Sequence, residues 1–349
     1  MYFSTEFLVN KTLFFVKLIS IQFFLFVFIN ISNAQYANLK IIDSFPIKGT
    51  EGWDYIAIHE ATQRLFVAHG TQVNVLNAKT GDSIGIIPNT FGVHGVTFID
   101  ALNKGYTSNG RMNNVYVFNL QTLVIEDSIA VGNDPDAIFY NEINRKLYIC
   151  NGRSMDISVI DPFTKSMVAT IPIGGKPETA VADKVGNVYV NIENKHEIIK
   201  INGGTNEIME HWNIAPAEAP TGLVYDAHTH TLFAGCSNKM LAVVDAANGI
   251  VKKIVPIGAG CDGVAIDFTW RQVYASNGQE GTLSIISANN YELLNTLKTM
   301  KTARTIAVSQ DLHNVYLPAA EINKTMVPGK KPALKPESFR ILVIGKDQN

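Results

Sequence analysis

Asp54, Asp136, Glu178 and Asp262 each open a short apolar run, and such runs recur along the chain. Gly95, Thr221 and Arg304 open three more, and the intervals from Asp54 onward are 41, 41, 42, 43, 41 and 42 residues. The residues just before are Trp53, His94, Pro135, Pro177, Pro220, Cys261 and Ala303. If the runs pack side by side, four carboxylates, an imidazole and a guanidinium converge. Carboxylates in that number suit a hard cation or a small polar ligand. Asp54, Asp136, Glu178 and Asp262 are therefore candidate metal ligands, and a divalent cation is the one cofactor they point to. Like charges held this close also raise one another's pKa values. The plainer account is that these acids are solvated, cap turns, or pair with Arg304.

A second polar set follows a second apolar run. It comprises His69, Asn109, Asn151, Glu193 and Asn277, with Arg111 and Arg153 two residues beyond their asparagines. Asn-Gly at a strand end is chiefly turn chemistry. Two guanidinium groups on one rim would suit a carboxylate or phosphate, although solvated arginines are the plainer reading.

These residues need elements to hold them. After each opening run comes a polar turn and then a second run: LFVAHG at 65–70, GYTSNG at 105–110, LYICNG at 147–152, VYVNIEN at 188–194, LFAGCSN at 232–238, VYASNG at 273–278 and VYLPAAE at 315–321. A third run reads V-x-V or V-I-D, and a fourth ends near a glycine. Short β-rich runs bounded by Gly, Asn, Asp and Pro are strands. Four strands per unit at roughly 40–45 residues is the propeller signature. The expected fold is all-β: a seven-bladed β-propeller with units starting near 54, 95, 136, 178, 221, 262 and 304. The last unit lacks a fourth strand, and the orphan run from Leu39 to Ile47 supplies one. That closure joins the ring and removes an edge.

The x-Tyr-x-Ser/Thr/Cys-Asn-Gly runs, then V-x-V-I-D-x-x-T, then I-P-I-G, resemble the YVTN-type β-propeller repeat. That group is similar to surface-layer and quinoprotein-amine-dehydrogenase-like propellers. The resemblance spans residues 35–349. The third unit is nearly a consensus copy, whereas Val190-Asn191-Ile192 and Leu317-Pro318-Ala319 depart from it. It implies an exported propeller. It implies no single function, since such propellers include binding proteins, scaffolds and enzymes.

Residues 1–34 read as a signal peptide, with Lys11 and Lys17, an apolar stretch from Leu18 to Ile31, and Ser32-Asn33-Ala34 at the exit. A membrane anchor is the rival, but the stretch is short and carries Gln22 and Asn30. The expectation is one exported domain over 35–349, periplasmic or extracellular, with no span after cleavage, and monomeric. The chain carries 29 Lys+Arg and 31 Asp+Glu. Loss of Lys11, Lys17 and Glu6 leaves 27 against 30, a net of −3. That balance disfavours nucleic acid as a partner.

Cys236 and Cys261 fall on one face of neighbouring units, so a disulfide between them is a candidate; Cys150 reads as an apolar filler. Residues 318–339 form a long Pro- and Lys-bearing insertion, expected as a lid over the acid-lined face. The chain has no Gly-rich phosphate loop, HExxH, CxxC or G-x-S-x-G elbow. Two functions follow, with a nucleic-acid-binding propeller as a third, disfavoured by the charge balance. The first is a non-catalytic propeller that binds a small molecule, an envelope component or a protein on the channel-mouth face. Its candidate binding residues are Trp53, Asp54, His69, His94, Arg111, Asp136, Arg153, Glu178, Asp262 and Arg304, with no catalytic residue. The second is a lactonase-type hydrolase with a divalent cation in the channel, motivated by the carboxylates with His69 and His94.

Overall fold

The computed structural model describes residues 39–49, 51–323 and 333–346. Two units are distinguished, Ile41–Gly345 and a second made of Met1–Lys40 with Lys346–Asn349. Of the second, only Leu39, Lys40 and Lys346 are described, all in strand. The expected signal peptide lies outside the described residues.

Residues 41–345 carry seven antiparallel four-stranded sheets, the blades of a β-propeller. The innermost strands are Trp53–His59, Val93–Ile99, Pro135–Asn141, Pro177–Ala182, Pro220–Asp226, Cys261–Asp267 and Ala307–Val308. The last blade runs outward from Ala307–Val308 through Val315–Ala319 and Arg340–Lys346 to Leu39–Pro46. The N-terminal strand thus completes it as expected, and Ile47 N donates to Phe339 O at 3.0 Å.

Position in the blade explains the composition of each run. Second strands lie between neighbouring blades and are buried throughout, as in Val188–Ile192 and Thr231–Cys236. Such strands read as continuous apolar runs. Outermost strands are half-solvated, as in Ser166–Pro172. The repeated spacing of Asp or Asn before x-x-Thr also has a cause. Asp161 Oδ1 accepts from the amides of Phe163 and Thr164 at 2.9 and 3.3 Å. Asn77, Asn119 and Asn202 do the same in their own turns. These are the local side-chain turns that Asx residues favour.

Tyrosines tie blade to blade. Tyr148, Tyr189 and Tyr316 occupy one position of the second strand. Their hydroxyls donate to Gly203 O at 3.4 Å, Ala246 O at 2.9 Å and Ala78 O at 2.8 Å, each in a turn of the following blade. An apolar ring fills the space between blades, and its polar end satisfies a carbonyl that would otherwise be orphaned.

Candidate functional site

Six innermost strands share one irregularity. The pairing slips between Trp53 and Ile56, Val93 and Val96, Pro135 and Ile138, Pro177 and Ala180, Pro220 and Leu223, and Cys261 and Gly263. A slip of this kind lifts a residue out of the ladder and re-aims its side chain. The first lifted residue of each blade is Asp54, His94, Asp136, Glu178, Thr221 or Asp262. In the last blade Arg304 precedes the short strand Ala307–Val308, which shows no such slip, and stands at the matching place by sequence. This corrects the alignment of the second unit: His94, not Gly95, shares the position of the acids. The pairing of Val93 with Asn109, matching Trp53 with His69 and Pro135 with Asn151, fixes it.

Opposite charges run around much of this ring. Asp262 bonds Arg304 Nη1 at 2.5 Å, and Arg304 Nη2 lies 3.5 Å from Asp54. Asp54 Oδ2 lies 2.5 Å from His94 Nδ1, which is 3.6 Å from Asp136 Oδ1. The order then breaks, because Asp136 is followed by Glu178. Lys176, which the sequence reading did not single out, bonds Glu178 and Glu193 at 2.6 Å each. Its only sequence signal was a cation two residues before a repeat-matched acid.

The electrostatics follow from this order. Burial opposes a charge on His94, but the Asp54 bond and the Asp136 charge outweigh it and push His94 up to about 9. Burial and the Asp54 charge push Asp136 up to about 7. Burial and Asp136 push Glu178 up to about 8, against the pull of Lys176. Burial raises Asp262, and Arg304 offsets part of that. Tyr55 is raised by burial and then by Asp136, Glu178, Asp54 and Asp262, the charge field of the ring.

A cavity of about 860 Å³ opens beside the ring. Trp53, Thr221, Asp262 and Arg304 line it, with Glu193, Gln279 and Lys301. Ile322 and Leu334 add an apolar wall. These two residues belong to the insertion expected as a lid. Its described part is a hairpin stem: the ladder reaches Ala319 and Arg340, and Ile322 pairs with Leu334 beyond it. Residues 324–332 lie outside the described residues.

Other candidates lie elsewhere. His69 is buried and packs its ring on Phe339 at 4.6 Å, with Nδ1 on Asn74 Oδ1 at 3.0 Å. Trp53, which lines the cavity, stacks on the same ring, Phe339, at 4.8 Å, and its carbonyl accepts from Arg304. Arg111 and Arg153 are exposed; Arg153 Nη2 is 3.8 Å from Asp134, and neither lines the cavity. The structure therefore does not bring them to the ring, because they sit on turns outside the second strands. Asn109, Asn151 and Asn277 are buried and bridge to the third strand, so their role is cross-strand bonding rather than the turn chemistry expected of Asn-Gly.

The Cys236–Cys261 bridge is corrected: all three cysteines are free. Cys236 Sγ turns to Ala234 O and Cys261 Sγ to Gly263 O, each a carbonyl of its own strand. Sharing a face of neighbouring blades is not enough when each thiol is aimed at a carbonyl of its own strand.

Fold and ring together define a seven-bladed β-propeller protein with a charged channel mouth. No family model matches the chain, and no curated protein matches it. Among solved structures it is similar to a chain of hydrazine synthase from Kuenenia stuttgartiensis, with a TM-score of 0.69 and 14% identity over 78% of this chain and 94% of that one. At that identity the likeness shows the fold alone.

Proposed function

We propose that this is an exported, non-catalytic propeller of the YVTN-repeat type that binds a small polar molecule at the channel mouth. The observation that carries this reading is the cavity of about 860 Å³ beside Trp53, Asp262 and Arg304. Its size lies within the roughly 300–1,000 Å³ of small-molecule sites. Aromatic, amide and paired charged groups surround it, as in sites where a few polar groups orient a ligand. Residues 1–34 act as the export signal in this reading, and the mature chain is periplasmic or extracellular and monomeric. The test is a thermal-shift screen of small polar metabolites against the purified protein. A hit must weaken at least tenfold in Trp53→Ala. Binding that ignores Trp53→Ala and Asp262→Asn would remove the cavity from the reading.

A second reading, the lactonase-type hydrolase, is favoured by the carboxylate–imidazole–carboxylate run Asp54–His94–Asp136. Lactone hydrolysis abolished by a chelator would establish it. Hydrolysis absent with metal supplied would remove it.

A further inference from the structure

We infer that Asp54, His94 and Asp136 form a divalent-cation site with a mixed nitrogen and oxygen ligand set. The inference rests on the channel mouth being the working face. It differs from the four-carboxylate set expected from spacing. Glu178 and Asp262 are occupied by Lys176 and Arg304 at 2.6 and 2.5 Å. The other two acids instead share an imidazole.

Three observations carry it. One ligand atom each from Asp54, His94 and Asp136 lies within 4.8 Å of the other two. Three neighbouring blades supply them from one structural position, so the ladders around them fix the spacing. Asp136 Oδ1 is shut off from solvent and accepts no hydrogen bond, yet it faces His94 Nδ1 at 3.6 Å. A carboxylate oxygen without a donor in such a place is costly unless something positive completes it.

The imidazole also backs onto Gly110. A Cβ built on Gly110 would stand 2.7 Å from His94 Nε2 and 2.8 Å from Asp134 Oδ1. The ring therefore rests against bare backbone, with Nδ1 toward the carboxylates and Asp134 beside its far edge. Two carboxylates and one imidazole suit Zn²⁺ or Mn²⁺ better than Ca²⁺, which takes an all-oxygen shell. Three protein ligands leave a coordination position open.

The test uses the chelator-stripped full-length exported protein and the metals alone. Isothermal titration with Zn²⁺, Mn²⁺ and Ca²⁺ is expected to give one Zn²⁺ or Mn²⁺ per chain and weaker Ca²⁺. Affinity is expected to fall at least tenfold in Asp136→Asn and in His94→Gln, and to hold in Asp127→Asn, an outer-strand acid that pairs with Lys165 away from the ring. Circular dichroism confirms that each variant is folded. Electron spin-echo spectroscopy of bound Mn²⁺ is expected to show a nitrogen coupling that His94→Gln removes. Gly110→Ala, whose Cβ would press on the His94 ring, is expected to weaken the site by displacing the imidazole. No binding tighter than millimolar, or binding that survives His94→Gln and Asp136→Asn, overturns the assignment. The cavity reading is scored separately: a metal-free protein that still binds its small molecule keeps that reading while the metal site falls.

Discussion

Arg304 and Asp54 meet across the seam where the last blade adjoins the first. Arg304 Nη2 donates to Trp53 O at 2.9 Å and lies 3.5 Å from the Asp54 carboxylate, while Nη1 holds Asp262. One guanidinium thus links blades six, seven and one. Arg304→Met is expected to lower stability by about 1–2 kcal/mol. A fully buried pair would cost ~3–5 kcal/mol, but the Arg304 side chain is 41% exposed and solvent screens it. Urea denaturation of the two proteins measures the difference. An unchanged midpoint would show that the seam does not depend on this link.

His94 gives the ring a pH signature. Its folded value of about 9 lies above the ~6.5 of an unfolded chain. The stability it contributes is full below about 6.5 and is lost as pH rises through about 9. Asp136 acts in the same direction over a lower range. Its carboxyl is pushed up to about 7, so the fold loses stability as pH rises from about 4 toward 7. Histidine-selective NMR is expected to place the His94 titration near 9 in the metal-free protein and markedly lower in Asp54→Asn. A His94 transition near 6.5 in both would refute the ion pair.

Asp226 and Arg271 join blades five and six far from the ring. Both carboxylate oxygens are used, at 2.8 and 2.5 Å, and the Asp226 side chain is fully buried. Burial alone would raise this carboxyl, but Arg271 and Thr229 hold it below its usual value. Its contribution is present above the unfolded value of about 3.9 and is lost as pH falls through the depressed folded one. Asp226→Ala is expected to cost about 3–5 kcal/mol, since it leaves the guanidinium without its partner. Arg271→Met, which also leaves a buried charge, is expected to be similar. A cost below 1 kcal/mol for both would contradict this account.

The thiols should be silent in the folded protein. Cys150, Cys236 and Cys261 are buried, and burial pushes Cys236 up to about 12. Reaction with a thiol reagent is expected to label none in the native state and three after unfolding. Two labels missing under denaturing, non-reducing conditions would show that a disulfide forms.

The fold was legible because each blade repeats the same local devices. Asp161 shows why: its side chain closes a turn by itself, so its meaning needs no distant partner. Tyr148, by contrast, shows in the sequence as a repeated aromatic, but its bond to Gly203 belongs to the next blade. The site was legible only in part for the same reason. Asp54, Asp136, Glu178 and Asp262 could be aligned by interval, whereas His94 was displaced by one position because the interval alone does not reveal where pairing slips. Lys176 was overlooked because its importance comes from two carboxylates it reaches in space. Arg111 and Arg153 share a motif, but their turns carry them away from the channel.

The slip in six of the innermost strands has a further consequence. A residue lifted off the ladder contributes little to strand pairing, so its side chain is free of the demands that hold the sheet together. Carboxylate, imidazole and hydroxyl all occupy that place in this one chain. The mouth behaves as a set of sockets on a fixed frame, in which chemistry is rewritten one plug at a time while the frame stays as it is.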